Sequence, residues 1–260
     1  MNLIKNYLIK NRCYTNPVKI KIEKLVLHSL GVAQPNSQVL INSWNSIEAG
    51  VSVHAFIEDD RVVQTLPWDY KAWHVGSGNN GSYNNCAIGV EICEPSGHKY
   101  NGGTMVGYNV DKNEVYFGKV YNNAVELFAK LCKDYNLNPL KDILCHSEVY
   151  KLGYGSNHAD VMHWFPKHGK SMDTFRADVQ AAMNYTPVAP ITKNSDTKAI
   201  KWLQEKLNKA NTTYTIPATG KYDPKTRIAV LMYADSRGWN WDKASGWQVG
   251  EGTIKALAKL

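Results

Sequence analysis

Short apolar runs separated by polar turns alternate with longer stretches of helical spacing along most of the chain. Residues 2–10 put Leu3, Ile4, Tyr7 and Leu8 on one helical face, which predicts a short helix. Val18 to Ile22 alternates apolar residues with lysine, as an edge strand does. Leu25-Val26-Leu27 reads as a buried strand ending in His28-Ser29. A helix follows over Ser37–Ala49, and then a hairpin: Val51–Ile57, a turn at Asp59-Asp60, and Arg61–Leu66. Ala87–Cys93 is another apolar strand, broken after Glu94 by Pro95-Ser96-Gly97. Residues 98–116 are rich in Gly and Asn and read as a long loop. Val125, Leu127, Phe128, Leu131 and Cys132 give Tyr121–Tyr135 helical periodicity, with Asn136 and Pro139 as stops. Ile143–Cys145 is the last strand, and Phe175–Met183 the last helix before a change of character.

Strands and helices that alternate around a hairpin predict an α/β fold, a mixed central sheet flanked by helices. Tyr185 to Asn194 carries Pro187 and Pro190 without apolar periodicity and reads as a linker. Beyond it, Thr197–Ala210, Pro224–Asp235 and Gly250–Leu260 predict a small three-helix domain. The expected organisation is a domain over 1–184, a linker over 185–195 and a helical domain over 196–260.

Charge sharpens this division. The net charge of +7 is concentrated late: residues 186–260 hold 12 Lys and Arg against 6 Asp and Glu, whereas residues 1–185 are nearly balanced. A basic module suits a polyanionic surface such as nucleic acid, membrane or an anionic cell wall, though a solvated basic face without a partner fits the charge as well. No zinc-knuckle or helix-turn-helix signature supports nucleic acid. No run reaches the roughly 18 apolar residues of a membrane span. The first twelve residues lack the continuous apolar core of a signal peptide, so the expected site of synthesis is the cytoplasm. Five cysteines without CxxC spacing suggest reduced thiols rather than a disulfide framework.

The chemistry gathers at strand ends. His28 ends one buried strand and His146 another; if the strands are neighbours, the imidazoles meet at one sheet edge. His158 and Asp160 are two apart in a Gly-, Ser- and Asn-rich loop. Imidazole nitrogen and carboxylate oxygen both suit zinc, and a catalytic zinc uses three protein ligands and keeps one position open. His28, His54, His74, His146, His158, Asp160 and His163 are candidates. For each histidine alone, a hydrogen-bonded structural role is the simpler reading. Glu91 lies within the otherwise apolar Ala87–Cys93, where a carboxylate is costly unless paired, exposed or used as a base. His158 could be a ligand or could stabilise an oxyanion.

Six ordered pieces resemble the type 2 N-acetylmuramoyl-L-alanine amidases, relatives of the peptidoglycan-recognition proteins. They are Leu25–Ser29, Val53–Ile57, Lys71–Gly76, Ala87–Glu91, Cys145–Glu148 and Ser156–Asp160, spread over about residues 20–180. The resemblance implies Zn2+ on His28, His146 and Asp160, and Glu91 as the catalytic base. It implies a groove touched by Trp73, His74 and Asn157, with peptidoglycan as the substrate and neither nucleic acid nor membrane as partner. Many relatives carry lysine or threonine two residues before the third ligand; His158 stands there instead, which leaves its role open, with an electrostatic role at the oxyanion chemically sound. The tail resembles a helical peptidoglycan-binding domain in Trp202–Asn208, Gly220–Arg227 and Gly250–Leu257, although Met232-Tyr233-Ala234 replaces its usual Phe-Gln. Trp239, Trp241 and Trp247 could stack on sugars there. Together these features resemble a phage or prophage endolysin that stays in the host cytoplasm until it is let out to the wall. A bacterial autolysin and a wall-binding protein without hydrolysis are the alternatives.

Overall fold

The computed structural model describes residues 1–211, 213–239 and 246–260. They form two units, Met1–Met183 and Asn184–Leu260. The first contains β1 (Leu3–Lys5), α1 (Arg12–Thr15), β2 (Lys24–Ser29), α2 (Ser37–Trp44), β3 (Ala55–Ile57), β4 (Val62–Gln64) and β5 (Ala87–Ile92). It continues with β6 (Lys99–Asn101), β7 (Thr104–Val106), α3 (Val110–Tyr135), α4 (Pro139–Asp142), β8 (Ile143–Cys145), α5 (His146–Lys151) and α6 (Met172–Met183). Six strands make one mixed sheet in the order β1-β4-β3-β5-β2-β8. The β3–β4 hairpin is antiparallel and the other pairs are parallel.

Side-chain alternation decides what each face carries. Leu25 and Leu27 of β2, with Ile88, Val90 and Ile92 of β5, join the main core under α3 and α6. There they meet Val120, Leu127, Phe128, Phe175 and Val179, all buried. The intervening residues point the other way. Val26 packs with Val75, Ala87 and Val149 on the opposite face. By the same alternation that opposite face receives His28 from β2 and Gly89 and Glu91 from β5. His28 and Glu91 are register partners in the parallel pair. The residue after β8, His146, continues the alternation onto this face.

Three local expectations are corrected. Residues 2–10 do not form a helix; Leu3–Lys5 is an edge strand parallel to β4. The open edge of β4 wins over helical periodicity: Asn6 and Leu8 donate backbone N–H bonds to the Gln64 and Thr65 carbonyls. Leu8 itself is fully buried. Val18–Ile22 is not a strand of the sheet. It makes a single bridge, Lys19 to Tyr70, and leaves Val18 exposed. Residues 98–116 are not a long loop. They form the β6–β7 hairpin and the opening turns of α3. Gly102 and Gly103, both at positive φ, make the tight turn. Asn109 caps α3 by accepting the Lys112 N–H at 2.8 Å. The early turns of α3 were hidden because they are polar and largely exposed. The helix from Ser37 ends at Trp44, and α3 ends on Asn136 in the left-handed conformation.

The second unit contains β9 (Ile191–Thr192), α7 (Thr197–Ala210), α8 (Pro224–Ser236), β10 (Gln248–Val249) and α9 (Glu251–Ala258). Ile191, in the stretch read as a linker, is buried and belongs to β9, which pairs with β10. The core gathers Ile200, Leu203, Leu207, Val230, Ile254 and Leu257. Gln204 is fully buried at its centre: its amide donates to Thr226 Oγ1 and the Lys221 carbonyl, and accepts the Gly220 N–H. Trp239 and Trp247 are partly exposed. Trp241 lies outside the described residues. All five cysteines are free thiols. Among the described residues no helix is long and apolar enough to cross a membrane.

Candidate metal centre and catalytic groups

Three potential ligands from distant parts of the sequence converge on the open face of the sheet. His28 Nδ1 lies 3.0 Å from Asp160 Oδ2, and His146 Nδ1 lies 3.2 Å from the same oxygen. All three residues are buried, and they form the only metal-compatible group of His, Cys, Asp and Glu found among the described residues. Four-coordinate zinc with N and O ligands at 2.0–2.2 Å sets neighbouring ligand atoms roughly 3.3 Å apart. The observed separations fit that spacing.

Local structure fixes each of the three side chains. β2 and β8 are adjacent and parallel, so their ends bring His28 and His146 side by side, with ring centroids 5.0 Å apart. His146 opens α5, and its Nε2 faces the Val75 carbonyl at 3.2 Å. That carbonyl can only accept, so Nε2 carries the proton and Nδ1 keeps its lone pair for the cluster. Asp160 begins a 3₁₀ turn, Asp160–His163, with a backbone φ of 47°. A left-handed aspartate is uncommon, and here it aims the carboxylate back at the two imidazoles.

The electrostatics suit a cation at this cluster. Burial pushes the His28 imidazole down, so it remains a neutral donor. Burial works against ionisation of Asp160 too, but the adjoining His28 and His146 outweigh it and hold the carboxyl well below its usual range. Glu91 goes the other way: burial first, then the charges of Asp160 and Glu94, push it well above the ordinary glutamate value. Its Oε2 is buried without a hydrogen-bond partner. Two imidazole lone pairs, a carboxylate and an orphaned carboxylate oxygen on one face are a donor set that suits zinc with a base beside it.

The other expected residues fall in different places. His158 is exposed beside the cluster, its ring 4.6 Å from that of His146 and its Nδ1 3.2 Å from Ser156 Oγ. With Asn157 it borders a surface groove of about 420 Å³, which Ser147, Lys151 and Met162 also line. Trp73 is half-buried against Cys13, Leu66 and Ala72. His74, expected at the groove, is buried and bonded to His28. His54 is fully buried and bonded to backbone on both nitrogens; burial pushes its pKa down to about 4. His163 joins a separate network with Glu94, His98 and Tyr100. That network was not anticipated; its one visible signal was a second acidic residue, Glu94, at the end of an apolar strand.

Comparisons with known proteins speak to the family and the fold. A family model described as N-acetylmuramoyl-L-alanine amidase matches residues 18–164, more than half of the chain. An N-acetylmuramoyl-L-alanine amidase, CwlA, from a Bacillus species is 31% identical over 116 residues, covering 44% of this chain and 40% of that protein. CwlH from Bacillus subtilis, of the same description, is 32% identical over 122 residues, covering 47% of this chain and 37% of that protein. The chain therefore matches well under half the length of these relatives. Among solved structures, the Staphylococcus aureus hydrolase AmiA aligns with a TM-score of 0.54 at 23% identity, over 70% of this chain and 83% of that one. The catalytic domain of XlyA aligns with a TM-score of 0.50 at 20% identity, over 69% of this chain and 99% of that one. Likeness at that identity speaks for the fold.

Proposed function

The chain belongs to the N-acetylmuramoyl-L-alanine amidase family, and from that premise we propose that it is a zinc-dependent hydrolase of bacterial peptidoglycan. The bond cut is the amide between the lactyl group of N-acetylmuramic acid and L-alanine. The observation that carries this reading is the convergence of His28, His146 and Asp160 at ligand spacing, beside the unpartnered Oε2 of Glu91.

His28 and His146 would hold the metal through Nδ1, and Asp160 through its carboxylate. Bound zinc supplies positive charge toward the scissile carbonyl and lowers the pKa of a water to about 7. Glu91 takes the proton of the attacking water and passes it to the leaving amine of L-alanine. Its raised pKa suits both halves of that transfer, and its missing hydrogen-bond partner leaves the oxygen free to act. His158, exposed at the rim, donates an N–H to the oxyanion of the tetrahedral intermediate. Asn157 beside it meets the stem peptide in the groove.

The unit Asn184–Leu260 serves as the wall-binding module, and its excess of lysine and arginine favours an anionic wall. The protein is an endolysin-type lytic enzyme, acting on the wall after release from the host cytoplasm.

Mass analysis of wall fragments after digestion tests the bond: new N-terminal alanine with intact glycan is expected. Cleaved glycan with every alanine still acylated would reject the amidase reading. His146→Ala should lose zinc, measured as metal per chain after dialysis. An unchanged stoichiometry would refute the ligand set.

A further inference from the structure

His28 presents one nitrogen to the ligand cluster and the other to a second imidazole. Its Nδ1 lies 3.0 Å from Asp160 Oδ2, and its Nε2 lies 3.0 Å from His74 Nδ1. The far nitrogen of His74, Nε2, lies 3.4 Å from the Ala87 carbonyl. A carbonyl only accepts, and this fixes the direction of the whole chain. His74 Nε2–H donates to Ala87, so His74 Nδ1 keeps a lone pair. That lone pair accepts from His28 Nε2–H, which would leave the lone pair of His28 on Nδ1, free for an ion held between it and Asp160 Oδ2.

The ring of His74 sits in a slot made for it. On the sheet beneath, a Cβ on Gly89 would lie 2.4 Å from His74 Cγ and Nδ1. Any side chain at that position would displace the ring. The slot is itself fastened by His54. Its backbone N–H donates to the Gly89 carbonyl at 2.9 Å, and its Nδ1 accepts the Gly89 N–H at 3.0 Å. His54 Nε2 donates to the Tyr70 carbonyl at 2.7 Å. The His54 and His74 rings meet edge to face with centroids 6.1 Å apart. His146 needs no such device, because the Val75 carbonyl accepts from it directly.

We propose that His74 is a positioning residue of the metal centre, which sets the tautomer and orientation of His28 through an imidazole–imidazole hydrogen bond over Gly89. The proposal rests on the zinc reading of the site. Partners of this kind typically change metal affinity by about 10–100-fold when removed.

The test measures zinc affinity of the full chain by competition with a chelator. His74→Phe keeps a ring in the slot and removes both nitrogens; its affinity should fall by about 10–100-fold. His74→Asn carries an amide oxygen near the position of Nδ1 and should recover most of the loss. Should the phenylalanine variant not fold, His74→Leu stands in for it. Affinity of His74→Phe within about twofold of the parent overturns the proposal, as does an asparagine variant no better than phenylalanine. A parent chain that binds zinc no better than His146→Ala instead overturns the metal reading, and this proposal with it.

Discussion

Two glutamates three residues apart occupy opposite situations. Glu94 is fully buried and fully bonded: Oε1 accepts the Gly31 N–H at 2.9 Å, and Oε2 accepts from Tyr100 at 2.7 Å and His98 at 3.0 Å. Burial alone would raise its pKa, but hydrogen bonds from His163 and Tyr100 outweigh it and hold the carboxyl below the ordinary value. Glu91 has a buried Oε2 with no partner, beside the charges of Asp160 and Glu94, and is pushed up. A buried carboxylate whose lone pairs are all satisfied holds structure together. One left unpartnered beside His28, His146 and Asp160, with its pKa raised, has the mark of a group set for proton transfer.

The largest effect that separates the two belongs to Glu91. Glu91→Gln should lower wall hydrolysis by about 10²–10⁴-fold, as loss of a general base does. Zinc content and thermal stability should be kept, since the amide removes a charge that burial disfavours. Full activity in a turbidity assay of isolated walls would reject Glu91 as the base.

Glu94→Gln should do the reverse. Loss of charged hydrogen bonds costs roughly 1.5–3 kcal/mol of folding stability, while turnover per folded molecule changes little. Acid titration of metal-free protein sharpens the contrast, because the linkage signs are opposite. The folded-state pKa of Glu94 is depressed. Its stabilisation is present above the unfolded value, about 4.3, and is lost as pH falls through the folded value. The stability gap between parent and Glu94→Gln should therefore close in acid. The folded-state pKa of Glu91 is raised, so the protonated form is favoured by folding. The parent should lose stability relative to Glu91→Gln as pH rises from about 4.3 through the folded value. Parallel curves for the two variants would mean that the two carboxylates share one environment.

Much of this site is readable in the sequence once strand parity is used. Leu25–Leu27 and Ile143–Cys145 are dense apolar runs, so His28 and His146 stand out at their ends. Glu91 alternates with Ile88, Val90 and Ile92, which already sets it on the opposite face from the main core. What parity cannot give is the register that puts His28 opposite Glu91, or the adjacency of β2 and β8, because both depend on long-range pairing. Asp160 is visible only as part of His-x-Asp; the left-handed backbone that turns its carboxylate toward His28 and His146 has no local signature. His74 looked like a groove residue because nothing near it in sequence reports the Gly89 slot fifteen residues away. The edge strand at Leu3–Lys5 escapes sequence patterning for a related reason. Helical spacing is a local property, whereas the open edge of β4 is a tertiary one. The second unit is easier, since α7 and α8 carry their N-caps locally and α7 an apolar face as well. Asp196 and Asp223 each accept a first-turn N–H.

The smallest predicted effect probes the reason Glu94 is held low. Tyr100 is the hydroxyl that joins Glu94 to His163, at 2.7 Å from Glu94 Oε2 and 2.6 Å from His163 Nε2. Tyr100→Phe removes that hydroxyl while keeping the ring against the main core, where Tyr100 packs. The loss should be about 1 kcal/mol near neutral pH, the usual net worth of one hydrogen bond. Its pH dependence is the more discriminating readout. With one of its lowering bonds gone, Glu94 should titrate closer to the ordinary glutamate value, so the acid loss of stability should begin at higher pH than in the parent. In the double variant with Glu94→Gln, the shift in onset should vanish. A shift that persisted there would assign it to another carboxylate, with Asp160 first in line because its charge also acts on Tyr100.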